Sequence, residues 1–389
     1  MALPYVFTDT GNPPILSAQV NANFTAVYLG FFNVMTYGAT GNGSTDDTTA
    51  IQDAVNAAAV NGGVVYFPIG QYKISSSIIL ASSVYLLGSN SLVGLTPANS
   101  ALGSTIVPTA GFDAFLLPVT TSANFIGIEK LSFVNAGGGG YAAIRIGGCT
   151  GLVMRDVAIM FNSFAGGNGI VLDGGTGNIL AALVENVSVV SGSGYKGGTG
   201  VQIGTSAVGT HIVNASKFSS VQCIGMTTGI DAQGGGGNLF LSTWLQSCTT
   251  AINFADVNTH HFIGGWFEAN TSDVVFGSSS VKCSIEDARC AAAMAVTIQS
   301  GATAPRISNT NGFNPVGPFS PQPSVPATGV YFTNNLGADA TFYIAGGTVQ
   351  SIYVGSNSTG LVSGAFRVPV GQEIAINYTS IPTWLVVGD

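Results

Sequence analysis

The sequence predicts an all-β fold: a single-stranded right-handed parallel β-helix (a solenoid) with a short N-terminal helical module and a small C-terminal β-sandwich. Three observations predict it. Units of short apolar segments recur every 22–31 residues through the middle of the chain. Charged residues are 7% of the 389, glycine numbers 54, and the apolar runs are short, cut by Gly, Ser, Thr or Asn. Six brief alternating segments close the chain. An ordinary domain is about one quarter charged, so here much apolar surface has to be buried in short pieces, which suits strands.

Residues 1–30 read as an attachment or oligomerisation segment, with Ser17 as a helix N-cap and Val20, Phe24 and Val27 on one stripe. So short a helix cannot bury that stripe alone. A strand, a Gly turn and a capping helix follow, the helix at 47–60 with Ile51, Val55, Ala58 and Ala59 on its apolar face. Asp46 or Asp47 caps its free amides, and Asn61-Gly62-Gly63 ends it. The helix is expected to cover the open first coil, where unpaired strand edges would otherwise pair with other chains.

The run Gly38 to Asp47, the Ala-rich helix, and Gly63-Val64-Val65-Tyr66-Phe67-Pro68 before Gly70-Gln71-Tyr72 resemble the opening of the pectate-lyase-like superfamily. The likeness is to its phage tailspike and tail-fibre members, and it covers about residues 32–90. It is specific for fold and weak for activity, because the family holds lyases, hydrolases and non-catalytic binders.

The repeat stands without the resemblance, and the β-helix is expected over 31–300. Seven segments share the pattern apolar-x-x-apolar: Ile128–Leu131, Met154–Val157, Val184–Val187, Ala215–Phe218, Leu241–Trp244, Ile263–Trp266 and Ile285–Ala288. A second strand lies between them: Ile144–Ile146, Ile170–Leu172, Val201–Ile203, Ile230–Ala232, Ile252–Phe254 and Val274–Phe276. Alternation turns the outer members of each triplet inward and the middle one outward. Coils then stack about 4.8 Å apart, and the usual crossover hand makes them right-handed. Residues 301–328 carry six of the 15 prolines and read as a linker. Short strands at Val330–Phe332, Phe342–Ile344, Ile352–Val354, Phe366–Val368, Ile374–Ile376 and Trp384–Val386 predict a sandwich over 329–389.

The outward middle residues form a line of Arg145, Val171, Gln202, Asp231, Asn253 and Val275. Arg145, Gln202 and Asn253 are therefore the glycan-binding candidates. Asp231, with Asp173 and Asp256 that follow strands of the same set, and Glu268 are the catalytic candidates. Asp173 and Asp231 stand two coils apart, about 9–10 Å, at the upper end of the spacing used by inverting glycosidases. An outer face has to be polar somewhere, so the line also reads as plain surface. Few outward carboxylates and a single basic residue in the column speak against a lyase.

Trp244 and Trp266 are candidate sugar-stacking platforms, but this frame puts both in the column of Leu131, Val157 and Val187 and assigns them to the core. Glu268 then shares the position of Phe133, Ile159, Val189, Ser220 and Gln246. Either it points inward beside Gln246, or the strand breaks and it reaches solvent. His260-His261 read as surface turn residues. Asp46-Asp47 read as a helix cap, not a catalytic pair.

The net charge of −8 with 10 scattered basic residues argues against nucleic acid. No apolar run approaches a membrane span. The five cysteines have no metal-like spacing and read as buried free thiols; neither a metal nor a cofactor is expected. The N-terminus lacks the basic start and apolar core of a secretory signal. The resemblance implies a homotrimeric virion protein, made in a host cytoplasm and released by lysis. It would dock on a phage tail or baseplate through its N-terminus and meet a bacterial surface polysaccharide. A free bacterial lyase or glycosidase and a non-catalytic structural spike are the alternatives, and cleavage stays open.

Overall fold

The computed structural model of the protein describes residues 30–91, 93, 103–109, 111–134, 139–161, 166–174, 177–192, 197–204, 212–310, 313 and 317–388. The expected N-terminal helix and His211 lie outside the described residues. Between Phe31 and Ser308, 27 strands join in one continuous parallel sheet, wound as a right-handed β-helix. Like positions stack coil on coil: Phe32, Val65, Leu86, Ile128, Met154, Val184, Phe218, Phe240, Phe262, Ile285 and Ile307 form one column. Apart from Phe32, which is partly buried, they are core residues. Aromatic rings stack inside it, Phe218 on Phe240 with centroids 4.7 Å apart.

The apolar-x-x-apolar spacing has a backbone cause. Its third residue is left-handed: Lys130 (φ 55), Asp156 (φ 51), Asn186 (φ 52), Ser220 (φ 53), Ser242 (φ 50) and Gly264 (φ 66). One such residue bends the strand, so the first and fourth side chains both turn inward. In the fourth to sixth of the seven segments the true frames are Phe218-Ser219-Ser220-Val221, Phe240-Leu241-Ser242-Thr243 and Phe262-Ile263-Gly264-Gly265, while Ile285–Ala288 stands as expected. The expected frames Ala215–Phe218, Leu241–Trp244 and Ile263–Trp266 are corrected accordingly. Leu241 and Ile263 are apolar but outward, while the inward fourth positions are Thr243 and Gly265, so hydropathy favoured the wrong frame. A one-residue slip exchanges the two faces. Trp244 and Trp266 therefore leave the core and stand 42% and 36% exposed.

The helix spans Thr48–Ala59 and buries Ile51, Ala54, Val55 and Ala58 against the first coil. Asp46 accepts from the Thr48 amide at 3.1 Å. Asp47 instead holds the glycine turn, accepting from the Thr40 amide at 2.7 Å and the Gly41 amide at 3.1 Å. Gln52 satisfies an open strand edge, accepting from the Ile79 amide at 2.7 Å and donating to its carbonyl at 3.1 Å. That is the edge protection the first coil requires.

Parallel pairing continues to Arg306–Ser308. Beyond it, two four-stranded antiparallel sheets enclose a second core of Phe342, Ile344, Ile352, Phe366, Ile374, Ile376 and Val386. The proline-rich stretch contributes the edge strand Gly317–Pro318. Its other polar ties also go to the sandwich: Gln322 exchanges two hydrogen bonds with the Val386 backbone, and the Trp384 indole donates to the Pro323 carbonyl at 2.7 Å. Arg306 and Arg367 both bind Asp339 at 3.2 Å, tying the last coil to the sandwich.

Candidate functional site

The expected polar line exists as a register. Arg145, Val171, Gln202, Asp231, Asn253 and Val275 are successive partners in neighbouring strands. It is not an open face. Val171 is fully buried, Asp231 is 8% exposed and Asp173 is 2% exposed. Arg145 lies between two carboxylates, Asp113 at 3.0 Å and Asp173 at 2.8 Å. Taking these charges from water is costly, and their mutual pairing offsets that cost. Asp173 Oδ1 has no hydrogen-bond partner among the described residues. Asp231 accepts from the side-chain amides of Asn253 at 2.9 Å and Gln233 at 2.6 Å. Burial raises its pKa, and the two amide donors oppose the rise. Gln202 donates to the Gly204 carbonyl at 3.1 Å. Asp256 is exposed, two residues beyond the Ile252–Phe254 triplet. The structure thus brings Arg145 to Asp173 and Asn253 to Asp231, in couples whose hydrogen bonds run within the protein.

The structure opens a different face. Ser132, Ala158, Ser188, Gln222, Trp244, Trp266 and Arg289 form one outward column. Its lower members are covered, Ser132 and Ala158 fully and Ser188 to 3% exposure. The column emerges into solvent at Gln222 and is exposed from Trp244 upward. There a groove of about 460 Å³ is lined by Ser242, Thr243, Trp244, Gly265, Trp266 and Glu268. Two glycines make the bend beside it: Gly264 and Gly265 both have positive φ, and a Cβ on Gly265 would stand 2.4 Å from the Thr243 carbonyl oxygen. Only glycine lets the chain turn so closely.

Glu268 pairs in register with Gln246, on the outside of the strand, which settles its position in favour of solvent. It is half-buried, and its Oε2 accepts from the Trp266 indole at 3.1 Å. The Arg289 guanidinium lies 5.8 Å from the Trp266 ring centroid. Two aromatic faces and a carboxylate therefore line one opening, and a guanidinium stands beside it against Trp266. Arg289 was not singled out from sequence, and both tryptophans were placed inside. Aligning Phe218, Phe240 and Phe262 as one column is the signal that would have restored the frame.

His260 also departs from expectation. It is fully buried, in line with buried Asn238 one coil below, whose amide donates to Nδ1 at 3.3 Å. Its Nε2 has no partner among the described residues. Burial, and secondarily His261, lower its pKa to about 4. His261 is exposed and bonds the Ser284 hydroxyl through Nδ1 at 2.8 Å. The five cysteines are free and buried. Among the described residues no three His, Cys, Asp or Glu side chains gather in a metal-holding arrangement.

Comparison with known proteins places this geometry. Residues 31–253 match the family described as Rhamnogalacturonase A/epimerase, pectate lyase-like. Alginate lyase 7 of Azotobacter vinelandii is 36% identical over 102 residues, 24% of this chain and 11% of that protein. Mannuronan C5-epimerase AlgE3 of the same organism is 45% identical over 65 residues, 15% of this chain and 4% of that protein. The chain thus spans about a tenth or less of the length of these relatives. Among solved structures, the N-terminal fragment of bacteriophage Phi29 gene product 12 superposes with a TM-score of 0.50 at 16% identity. That match covers 77% of this chain and 56% of the fragment; at that identity the likeness is one of fold.

Proposed function

The chain belongs to the rhamnogalacturonase A/epimerase, pectate lyase-like family, and on that footing we propose that it is a tailspike-type virion protein whose groove binds a bacterial surface polysaccharide. The observation that carries the reading is the exposed pair Trp244 and Trp266, one coil apart above the groove. Two large aromatics left in water are unfavourable unless a partner covers them. A pyranose ring offers a face of polarised C–H groups to the negative face of an indole, and the sugar hydroxyls suit the Glu268 carboxylate at the rim. The family's glycan-active relatives, the fold shared with a phage protein and the tailspike-like opening motif support the same reading.

Recognition is favoured over cleavage. Glycoside hydrolysis ordinarily takes two carboxylates flanking the bond. Of the four proposed from sequence, Glu268 alone lines the groove, while Asp173 and Asp231 are buried and hydrogen-bonded.

The test is incubation of the purified full chain with capsule and lipopolysaccharide from candidate hosts, following binding, new reducing ends and unsaturated-uronate absorbance. Binding that Trp244→Ala and Trp266→Ala each weaken is the expected result. Shortened glycan would add a depolymerase activity. Binding untouched by either substitution, or no binding across a broad panel, would sink the assignment.

A further inference from the structure

We propose that Arg289 makes the tryptophan groove a reader of anionic polysaccharides, contacting a carboxylate or similar anionic substituent while sugar rings stack on Trp244 and Trp266. This deepens the polysaccharide reading and rests on it. The chain has five arginines, and four of them, Arg145, Arg155, Arg306 and Arg367, each lie within 3.2 Å of a carboxylate. Arg289 forms no ion pair among the described residues; it packs over the Trp266 ring at the open end of the column.

A guanidinium against an aromatic face makes no N–H hydrogen bond to it, so its fork of donors stays available, and that fork matches a carboxylate bidentately. Position adds to chemistry. Trp244, Trp266 and Arg289 occupy one column on successive coils, about 4.8 Å apart. A glycan lying along the β-helix axis over both indoles therefore presents its next substituent to Arg289.

Glu268 sets the polarity of that arrangement. Its Oε2 is engaged by the Trp266 indole, and Oε1 has no protein partner among the described residues. This end accepts from hydroxyls and repels anions, so the charged substituent goes to the Arg289 end. The net charge of −8 excludes general attraction of anions. A preference for charged glycan over its neutral counterpart then has to come from the local contact.

The experiment uses the full chain and a panel of uronate-bearing capsular polysaccharides, each native and after reduction of its carboxyls to hydroxymethyl groups, with binding followed by tryptophan fluorescence. Native glycan should bind about tenfold or more tighter than its reduced form. Arg289→Gln should erase that ratio and Arg289→Lys should restore part of it, while unfolding midpoints stay unchanged because the side chain is exposed. Equal binding of native and reduced glycan, or a ratio that survives Arg289→Gln, overturns the role of Arg289 and leaves the polysaccharide reading standing. Loss of all binding in Trp244→Ala with the ratio intact in Arg289→Gln does the same. Binding of neither form across the panel overturns both.

Discussion

The column through Arg145 and Asp231 and the column through Trp244 and Trp266 are built alike, as outward positions of parallel strands one coil apart. They end in opposite states. The first has the polarity of a ligand face and is largely closed: Val171 is fully buried, and its carboxylates are bonded to Arg145, Asn253 and Gln233. The second carries two tryptophans that read as core and is open from Trp244 upward. Polarity along a strand says which side chains can share a face. Whether that face meets water depends on what the rest of the coil lays over it.

Substitution should separate the two faces. The largest effect is expected at Arg145. Arg145→Ala strands the buried Asp173 and the half-buried Asp113, and it should cost about 3–5 kcal/mol of stability in denaturant unfolding without weakening glycan binding by the folded fraction. An unchanged unfolding curve would mean that this face is solvated after all.

The interior beside the open face should respond to pH through His260. Its folded pKa of about 4 lies below the usual value of 6.5, so the unfolded chain takes up the proton first. Stability should therefore be full above about pH 6.5 and fall as the pH drops toward 4, by about 3 kcal/mol in all. Stability measured against pH in the wild type and in His260→Phe checks this, since the substituted protein should lack that slope.

At the groove the pattern inverts. Trp244→Ala with Trp266→Ala should reduce glycan binding by roughly two orders of magnitude, near 2.7 kcal/mol. The same pair should shift stability by less than about 1 kcal/mol, because exposed side chains leave no cavity. A stability loss of core size would return the tryptophans to the interior.

The smallest effect is expected from Asp231→Asn. Its raised pKa means that the charged form is the disfavoured one in the fold, so Asp231 contributes less stability as pH rises through its folded pKa. The isosteric amide removes that penalty but meets two amide donors. Stability at pH 7 should stay within about 1 kcal/mol, and binding and any glycan shortening should be unaffected. Loss of glycan shortening in Asp231→Asn would revive the carboxylate column as a catalytic site.

Legibility in the sequence followed the same division. The second-strand triplets from Ile144–Ile146 to Val274–Phe276 were readable because strict alternation marks them, and their pairing register agrees residue for residue. The first three apolar-x-x-apolar segments were readable because both inward positions are apolar. The frame failed in the fourth to sixth segments, where the outward Leu241 and Ile263 are apolar and the inward Thr243 and Gly265 are not, and it returned at Ile285–Ala288, where both inward positions are apolar again. His260 failed for a related reason: a polar residue inside a coil corner carries no hydropathy signal.

Short-range order was therefore the sequence's own: the parallel coils, the capping helix over 48–59, the closing sandwich and the two-residue alternation are all local patterns backed by turn chemistry. Exposure belonged to the tertiary structure. One left-handed residue at each bend decides which face a strand shows, and neighbouring coils and their cover decide whether that face is dry. Burial is a sum over distant parts of the chain, so Trp244, Trp266 and Arg289 came into one exposed column only once three coils were stacked.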